Sequence, residues 1–167
     1  MEDVFQKLIL MIRAYYPVLY LHSYEYYRTK QKIKGIVELL RREGKKVNYY
    51  QWDCVYGLVQ ILPDKTEIRI ERMQNPLEVL AYILNSKKSG EKNIFVLDDI
   101  NNHIERDEVK LMFRKIAEAT NNNTHAIILS SIYRLPAELE KYITVLQIPL
   151  PKRNELGEVL DIVDKQS

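Results

Sequence analysis

Residues 93–99 read Asn93-Ile94-Phe95-Val96-Leu97-Asp98-Asp99, four consecutive large apolar side chains followed by two acids. A strand with one wet face alternates apolar and polar residues, so this run predicts a strand buried on both faces, with helices on both sides of its sheet. Its C-terminal end delivers the carboxylates of Asp98 and Asp99 to the crevice where doubly wound sheets bind ligands. A phosphate-and-magnesium site takes its second motif from such a place.

Working outward, the same grammar repeats. Val18-Leu19-Tyr20-Leu21, Val47 to Trp52, Ala126-Ile127-Ile128-Leu129 and Tyr142 to Ile148 read as four further core strands. Helices separate them. Val4, Phe5, Leu8, Met11 and Ile12 recur at helical spacing until Tyr15-Tyr16-Pro17 breaks the pattern. A helix from about Tyr24 to Arg42 turns Ile33, Ile36, Val37 and Leu40 to one side, with Ser23 as its N-cap, Glu25 in its first turn and Gly44 as a left-handed C-cap. Pro76 opens a helix with Leu77, Leu80, Ala81 and Leu84 as its buried face, and Ser86 to Glu91 form its exit loop. Val109, Met112, Phe113, Ile116 and Ala117 stripe another helix behind Asp107 as cap, and Leu156, Val159, Leu160 and Val163 stripe a last one. The segment from 55 to 72 breaks the alternation. Leu58 to Leu62, a turn at Pro63-Asp64-Lys65, then Ile68 and Ile70 between Glu67, Arg69 and Glu71 predict a hairpin at the sheet margin, its second arm dry on one face and charged on the other.

The expected fold is therefore α/β: a three-layer α/β/α sandwich with a mainly parallel five-stranded core sheet and an inserted β-hairpin at about 55–72, in one domain spanning 1–167. A chain of 167 residues supports one core of this size and not two. With 25 Lys+Arg against 23 Asp+Glu, the balance of charge points to no polyanionic partner. The single cysteine, Cys54, excludes an internal disulfide framework, fits a reducing cytosol and is expected to pack as a small apolar residue. The opening Met1-Glu2-Asp3 lacks the basic start of a signal peptide, and no run reaches membrane-spanning length, so a cytoplasmic protein is expected. Twelve tyrosines are spread over helix-like and strand-like segments, as an aromatic core with polar handles would require.

A working phosphate loop needs G-x-x-x-x-G-K-[ST] between the first strand and its helix, so that backbone N–H groups can wrap the phosphates. The corresponding stretch, His22-Ser23-Tyr24-Glu25-Tyr26-Tyr27-Arg28-Thr29-Lys30, contains no glycine, and Glu25 puts negative charge where a triphosphate would rest. Gly44-Lys45 is followed by Lys46 and leads into a strand, which is the wrong context. Asp98 and Asp99 could hold magnesium, but without a phosphate loop as partner the favoured reading is a bracing role for the loop Asn101-Asn102-His103. Ser130-Ser131 could sense a γ-phosphate or simply close the strand. His22, His103 and His125 lack metal-ligand spacing and read as surface or loop histidines. The basic residues between 28 and 46 include Lys30, Lys32, Lys34, Arg41, Arg42, Lys45 and Lys46, diluted by Glu38 and Glu43. They read as a solvated helix face, with a nucleic-acid adaptor as the alternative.

Taken in order, Arg13-Ala14-Tyr15-Tyr16-Pro17, Val18 to Glu25, Gly57-Leu58, Asn75-Pro76-Leu77-Glu78, Ile94 to Asp99 and Leu135-Pro136-Ala137-Glu138-Leu139-Glu140 resemble the N-terminal domain of the uncharacterised AAA ATPases of cyanobacteria, chloroplast genomes and other bacteria. The resemblance covers residues 6 to 163. It implies a degenerate AAA/P-loop NTPase-like fold ahead of a second AAA domain with intact phosphate-binding motifs, Asp98 and Asp99 at the Walker B position, and Ser130 and Ser131 at the sensor position. This chain ends at Ser167, where the catalytic domain would begin, so that domain is expected in cis within a longer product or in trans. The expected function is that of a noncatalytic interaction or regulatory module, with an AAA ATPase domain and other protomers as partners, and with neither membrane nor nucleic acid among them. No cofactor and no metal is expected. Ser23, Arg28, Lys30, Asp98, Asp99, Ser130 and Ser131 stand as vestigial site residues, Asp98 and Asp99 also as the metal candidates. An atypical ATP site is the alternative: magnesium on Asp98 or Asp99, phosphate on Lys30 or Arg28.

Overall fold

Along each central strand, successive side chains leave on opposite faces, so an uninterrupted apolar run feeds two cores at once. In the computed structural model, which describes residues 2–71, 73–119 and 123–150, that is how the chain folds. Ile94, Val96, Ile127, Leu129, Leu19 and Leu21 pack on one face against helices α1 (Glu2–Arg13) and α2 (Tyr26–Arg42). Phe95, Leu97, Ala126, Ile128, Val18 and Tyr20 pack on the other against α3 (Pro76–Ser86) and α4 (Asp107–Glu118). Each large side chain buried this way stabilises the fold by roughly 1.5–3 kcal/mol relative to exposure. Phe95 also stacks on Tyr50 with ring centroids 4.3 Å apart, and Tyr82 meets both rings edge-on.

The strands are β1 (Val18–His22), β2 (Val47–Asp53), β3 (Gly57–Ile61), β4 (Glu67–Ile70), β5 (Lys92–Asp98), β6 (Thr124–Ser130) and β7 (Thr144–Gln147). They form one seven-stranded sheet in the order β4-β3-β2-β5-β6-β1-β7. The five strands from β2 to β7 in that order are mutually parallel, while β3 adds antiparallel to β2 and β4 antiparallel to β3. The α/β class, the parallel core and the marginal hairpin are thus as expected.

The register within elements departs from expectation in several places. On β4, Ile68 is 42% exposed and Ile70 only half-buried, so the expected dry face is absent; among the described residues β4 is the outermost strand and has no sheet neighbour beyond β3. On α3 the buried face runs through Val79, Leu80 and Ile83 and leaves Ala81 exposed. The cap fixes that rotation: Asn75 accepts a bond from the Leu77 N–H at 2.9 Å and sets Pro76 as the first helical residue. Asp107 lies inside α4, and Arg106 is its N-cap. The exit loop of α3 includes a 3₁₀ turn, Lys87–Ser89, with Lys87 buried. Gly44 does take the left-handed conformation, at φ +88°. The helix expected around Leu156 to Val163 lies outside the described residues.

Candidate functional site

Because β1, β5 and β6 run parallel, their C-terminal ends bring His22-Ser23, Asp98-Asp99 and Ser130-Ser131 to one end of the sheet. Strand parity decides what each acid meets. Asp98 continues the row Ile94-Val96 toward the α1/α2 face, and there its carboxylate is bonded and ion-paired to Lys30 of α2. The pair is largely withdrawn from solvent, the side chains being 21% exposed for Lys30 and 15% for Asp98. Burial pushes the Asp98 carboxyl above the usual range; the Lys30 hydrogen bond and charge oppose that rise, and Asp99 and Asp53 add to it. Lys30 engages only Oδ2, and among the described residues Oδ1 is buried without a partner.

Asp99 turns sharply out of the strand in the left-handed region, at φ +58°. Its Oδ1 accepts a 2.5 Å bond from the Tyr26 hydroxyl, which in turn accepts the backbone N–H of Ser131 at 2.8 Å. Tyr26 thereby staples the end of β5 to the end of β6. Sequence reasoning did not single it out, although a signal was present. Ile33, Val37 and Leu40 form the buried stripe of α2, and extending that stripe backward at helical spacing reaches Lys30 and then Tyr26, whose polar heads must fall at the strand ends.

The segment aligned with a phosphate loop is closed on itself as well. Ser23 is buried, and its Oγ accepts the Glu25 N–H at 3.1 Å and contacts Thr29 Oγ1 at 2.8 Å. It braces the loop without capping α2, whose N-cap is Glu25, because the helix starts two residues later than its polar signal suggested. Arg28 lies 3.6 Å from Glu25. Ser130 is fully buried and its Oγ accepts the Ile132 N–H at 3.1 Å, the strand-closing role; Ser131 presents its carbonyl to His22 Nε2 at 2.9 Å. On the opposite face, Asn101 donates to the Tyr20 hydroxyl and to the Ile132 carbonyl, both at 2.9 Å, and Tyr20 also accepts the Arg134 N–H at 3.0 Å. Asp99 and the residues after it thus brace the two loops at this end.

Three expectations are corrected. His125 is fully buried in β6, where Lys92 donates to its Nε2 at 2.9 Å and its Nδ1 meets the Tyr16 carbonyl at 2.6 Å. His22 ends β1, held between Gln147 and Ser131, so neither is a loop histidine. Cys54 is exposed, carried out of the core by the turn after β2, where Asp53 Oδ1 accepts the N–H groups of Val55 and Tyr56. In the basic stretch, Lys32, Arg42, Lys45 and Lys46 are exposed as a solvated face requires, while Lys30 turns to Asp98 and Arg41 to the Val47 carbonyl at 2.8 Å. Among the described residues, no group of three or more His, Cys, Asp or Glu could hold a metal ion, and no helix is long and apolar enough to cross a membrane.

A mostly parallel sheet layered between helices, with acids ending the strand two places from β1, defines an AAA-like P-loop fold. The family model for the SpoVK-like AAA ATPase, N-terminal domain, matches residues 4–148, and the chain belongs to that family. It is 28% identical over 153 residues to an uncharacterized AAA domain-containing protein, ycf46, of Guillardia theta, covering 90% of this chain and 28% of the relative. Its identity to the protein of the same description from Trieres chinensis is 28% over 155 residues (92% and 29%), and to that from Pyropia yezoensis 26% over 152 residues (90% and 29%). The chain spans less than a third of the length of these curated relatives.

Proposed function

We propose that this domain is a noncatalytic, cytoplasmic interaction and regulatory module that works with an AAA ATPase domain, in cis or in trans, and with other protomers of the same assembly. The observation that carries the reading is the occupancy of the crevice by the domain's own side chains. Lys30 neutralises the Walker B-position acid Asp98, and Tyr26 fills the space between Asp99 and Ser131. Backbone amides that would have to wrap a phosphate belong to bulky residues, and the Glu25 N–H is already given to Ser23. Opening the crevice to a nucleotide would break the Lys30–Asp98 pair and the Tyr26 bonds before any phosphate contact formed. No cofactor is required by this reading, and membership of a family of AAA ATPase N-terminal domains supports an ATPase domain as the partner.

Amide mapping by NMR tests it. Millimolar magnesium-ATP is expected to leave the amides of Ser23 to Tyr27, Asp99 and Ser131 unshifted, and saturable shifts confined to those amides would overturn it. A second reading, an atypical ATP site in which Lys30 leaves Asp98 for a phosphate, draws its support from Asp98 Oδ1, buried and without a partner among the described residues. It requires those shifts and their loss in Asp98→Asn.

A further inference from the structure

At the other end of the sheet, the first residue of β5 raises a separate question. Lys92 is only 8% exposed. A lysine buried to that extent is ordinarily paired with an acid, because an ammonium taken from water without a counter-charge is costly. Among the described residues no carboxylate lies within ion-pair distance of it. Its Nζ instead donates to the Ile12 carbonyl at the end of α1, at 3.3 Å, and to His125 Nε2 at 2.9 Å, and it stands 5.3 Å from the centre of the Tyr15 ring. Tyr15 holds a left-handed backbone, φ +65°, as the chain turns from α1 toward β1.

Lys92 forms the floor of an open basin of about 400 Å³ whose walls include Arg13, Tyr15, Lys45, Lys46, Gly90 and Glu91. Among the described residues four cations and one acid line it, and that acid is already engaged by Lys46 at 2.9 Å and by Asn48 at 2.7 Å. Arg13 is likewise ion-paired, to Glu43 at 2.7 Å. Lys45 and Lys92 are left facing each other as like charges. Burial, and then the Lys45 charge, lower Lys92 to about 8. Burial, followed by the charges of Lys92 and Lys87, lowers His125 to about 4, so the neighbouring ring stays neutral and supplies no counter-ion. Asp98 is six residue steps along β5 from Lys92, so the basin lies roughly 20 Å from the nucleotide-position crevice, at about 3.3 Å per step.

We infer that this basin is a binding site for a small phosphate-bearing anion, held between Lys92 and Lys45 with Lys46 at the rim. Its chemistry is that of inorganic phosphate, pyrophosphate or a phosphate monoester. The inference is independent of the proposed function, because it concerns the opposite end of the sheet.

Titration of the full chain with inorganic phosphate, pyrophosphate and AMP at constant ionic strength, followed through the amides of Lys45, Gly90 and Glu91 and the Lys92 side-chain methylene, decides it. Saturable one-to-one shifts in the millimolar range or tighter are expected, weakened about tenfold or more in Lys92→Met and in Lys45→Ala, a 1.4 kcal/mol loss at the least. Lys92→Met keeps the stem that packs here, and the exposed Lys45→Ala tests the site should the buried variant fail to fold. Equal affinity for phosphate and AMP assigns recognition to the free anion, and tighter AMP binding assigns it to a monoester; either supports the site. Shifts that rise linearly without saturating, or an affinity unchanged in both variants, overturn it.

Discussion

Replacing Lys30 with methionine keeps most of the side-chain volume and removes the only hydrogen-bond partner that the Asp98 carboxylate has among the described residues. Deleting one member of a fully buried ion pair costs about 3–5 kcal/mol, because it strands the other charge. Here the two side chains retain 21% and 15% exposure, so water recovers part of that loss and about 2–3 kcal/mol is expected. The loss has a defined pH dependence. Asp98 already titrates above its ordinary value because burial outweighs the help from Lys30, and removing Lys30 raises it further. A carboxyl with a raised folded pKa binds its proton more tightly in the folded state, so stability falls as pH rises through that pKa. The Lys30→Met penalty is therefore largest at neutral pH and shrinks toward pH 4. Urea denaturation followed by circular dichroism at both pH values measures it. A penalty under about 1 kcal/mol at pH 7, or one that grows on acidification, would refute the claim that Lys30 is there to hold Asp98.

Tyr26→Phe removes one charge-assisted bond to Asp99 and orphans the Ser131 N–H, and should cost about 2 kcal/mol, lowering the melting midpoint by roughly 4–8 °C in a calorimetric scan. His125 is held neutral with a folded value of about 4 against an ordinary 6.5, so its share of stability is complete above pH 6.5 and is lost as pH falls toward 4. At about 1.4 kcal/mol per unit that share is roughly 3 kcal/mol, and urea midpoints between pH 7 and pH 4 should show the decline, flattened in His125→Gln. Gly57→Ala places a Cβ 3.4 Å from the Met73 backbone on a residue at φ +77°, and should cost about 1 kcal/mol or more by the same denaturation assay.

The layers of this fold were legible because two-sided apolar strands leave little freedom: Ile94 to Leu97 and Ala126 to Leu129 must have helices above and below. Positions set by a cap or an edge were less legible. The α3 face depends on the bond from Leu77 N–H to Asn75, and the exposure of Ile68 depends on which strand ends the sheet, neither of which periodicity contains. At the crevice, the absence of glycine between His22 and Lys30 could be read directly, and Asp98, Asp99, Lys30 and Ser131 were all in view. Their mutual pairing was not, since it depends on strand parity and on the two helical turns that bring Tyr26 and Lys30 over β5. The burial of Lys92 and His125 was hidden for another reason: they are polar residues at the first position of β5 and the second of β6, just ahead of the apolar runs that mark these strands.

The most direct test of the self-occupied crevice is the melting midpoint, with and without millimolar magnesium-ATP, of the protein carrying Lys92→Met, a substitution that weakens the distal basin and leaves the crevice as it is. A ligand that binds only the folded chain at a hundred times its Kd adds about 2.7 kcal/mol, several degrees for a domain of this size. A midpoint unmoved by ATP is the predicted result. A rise of several degrees, abolished by Asp99→Ala, would contradict it.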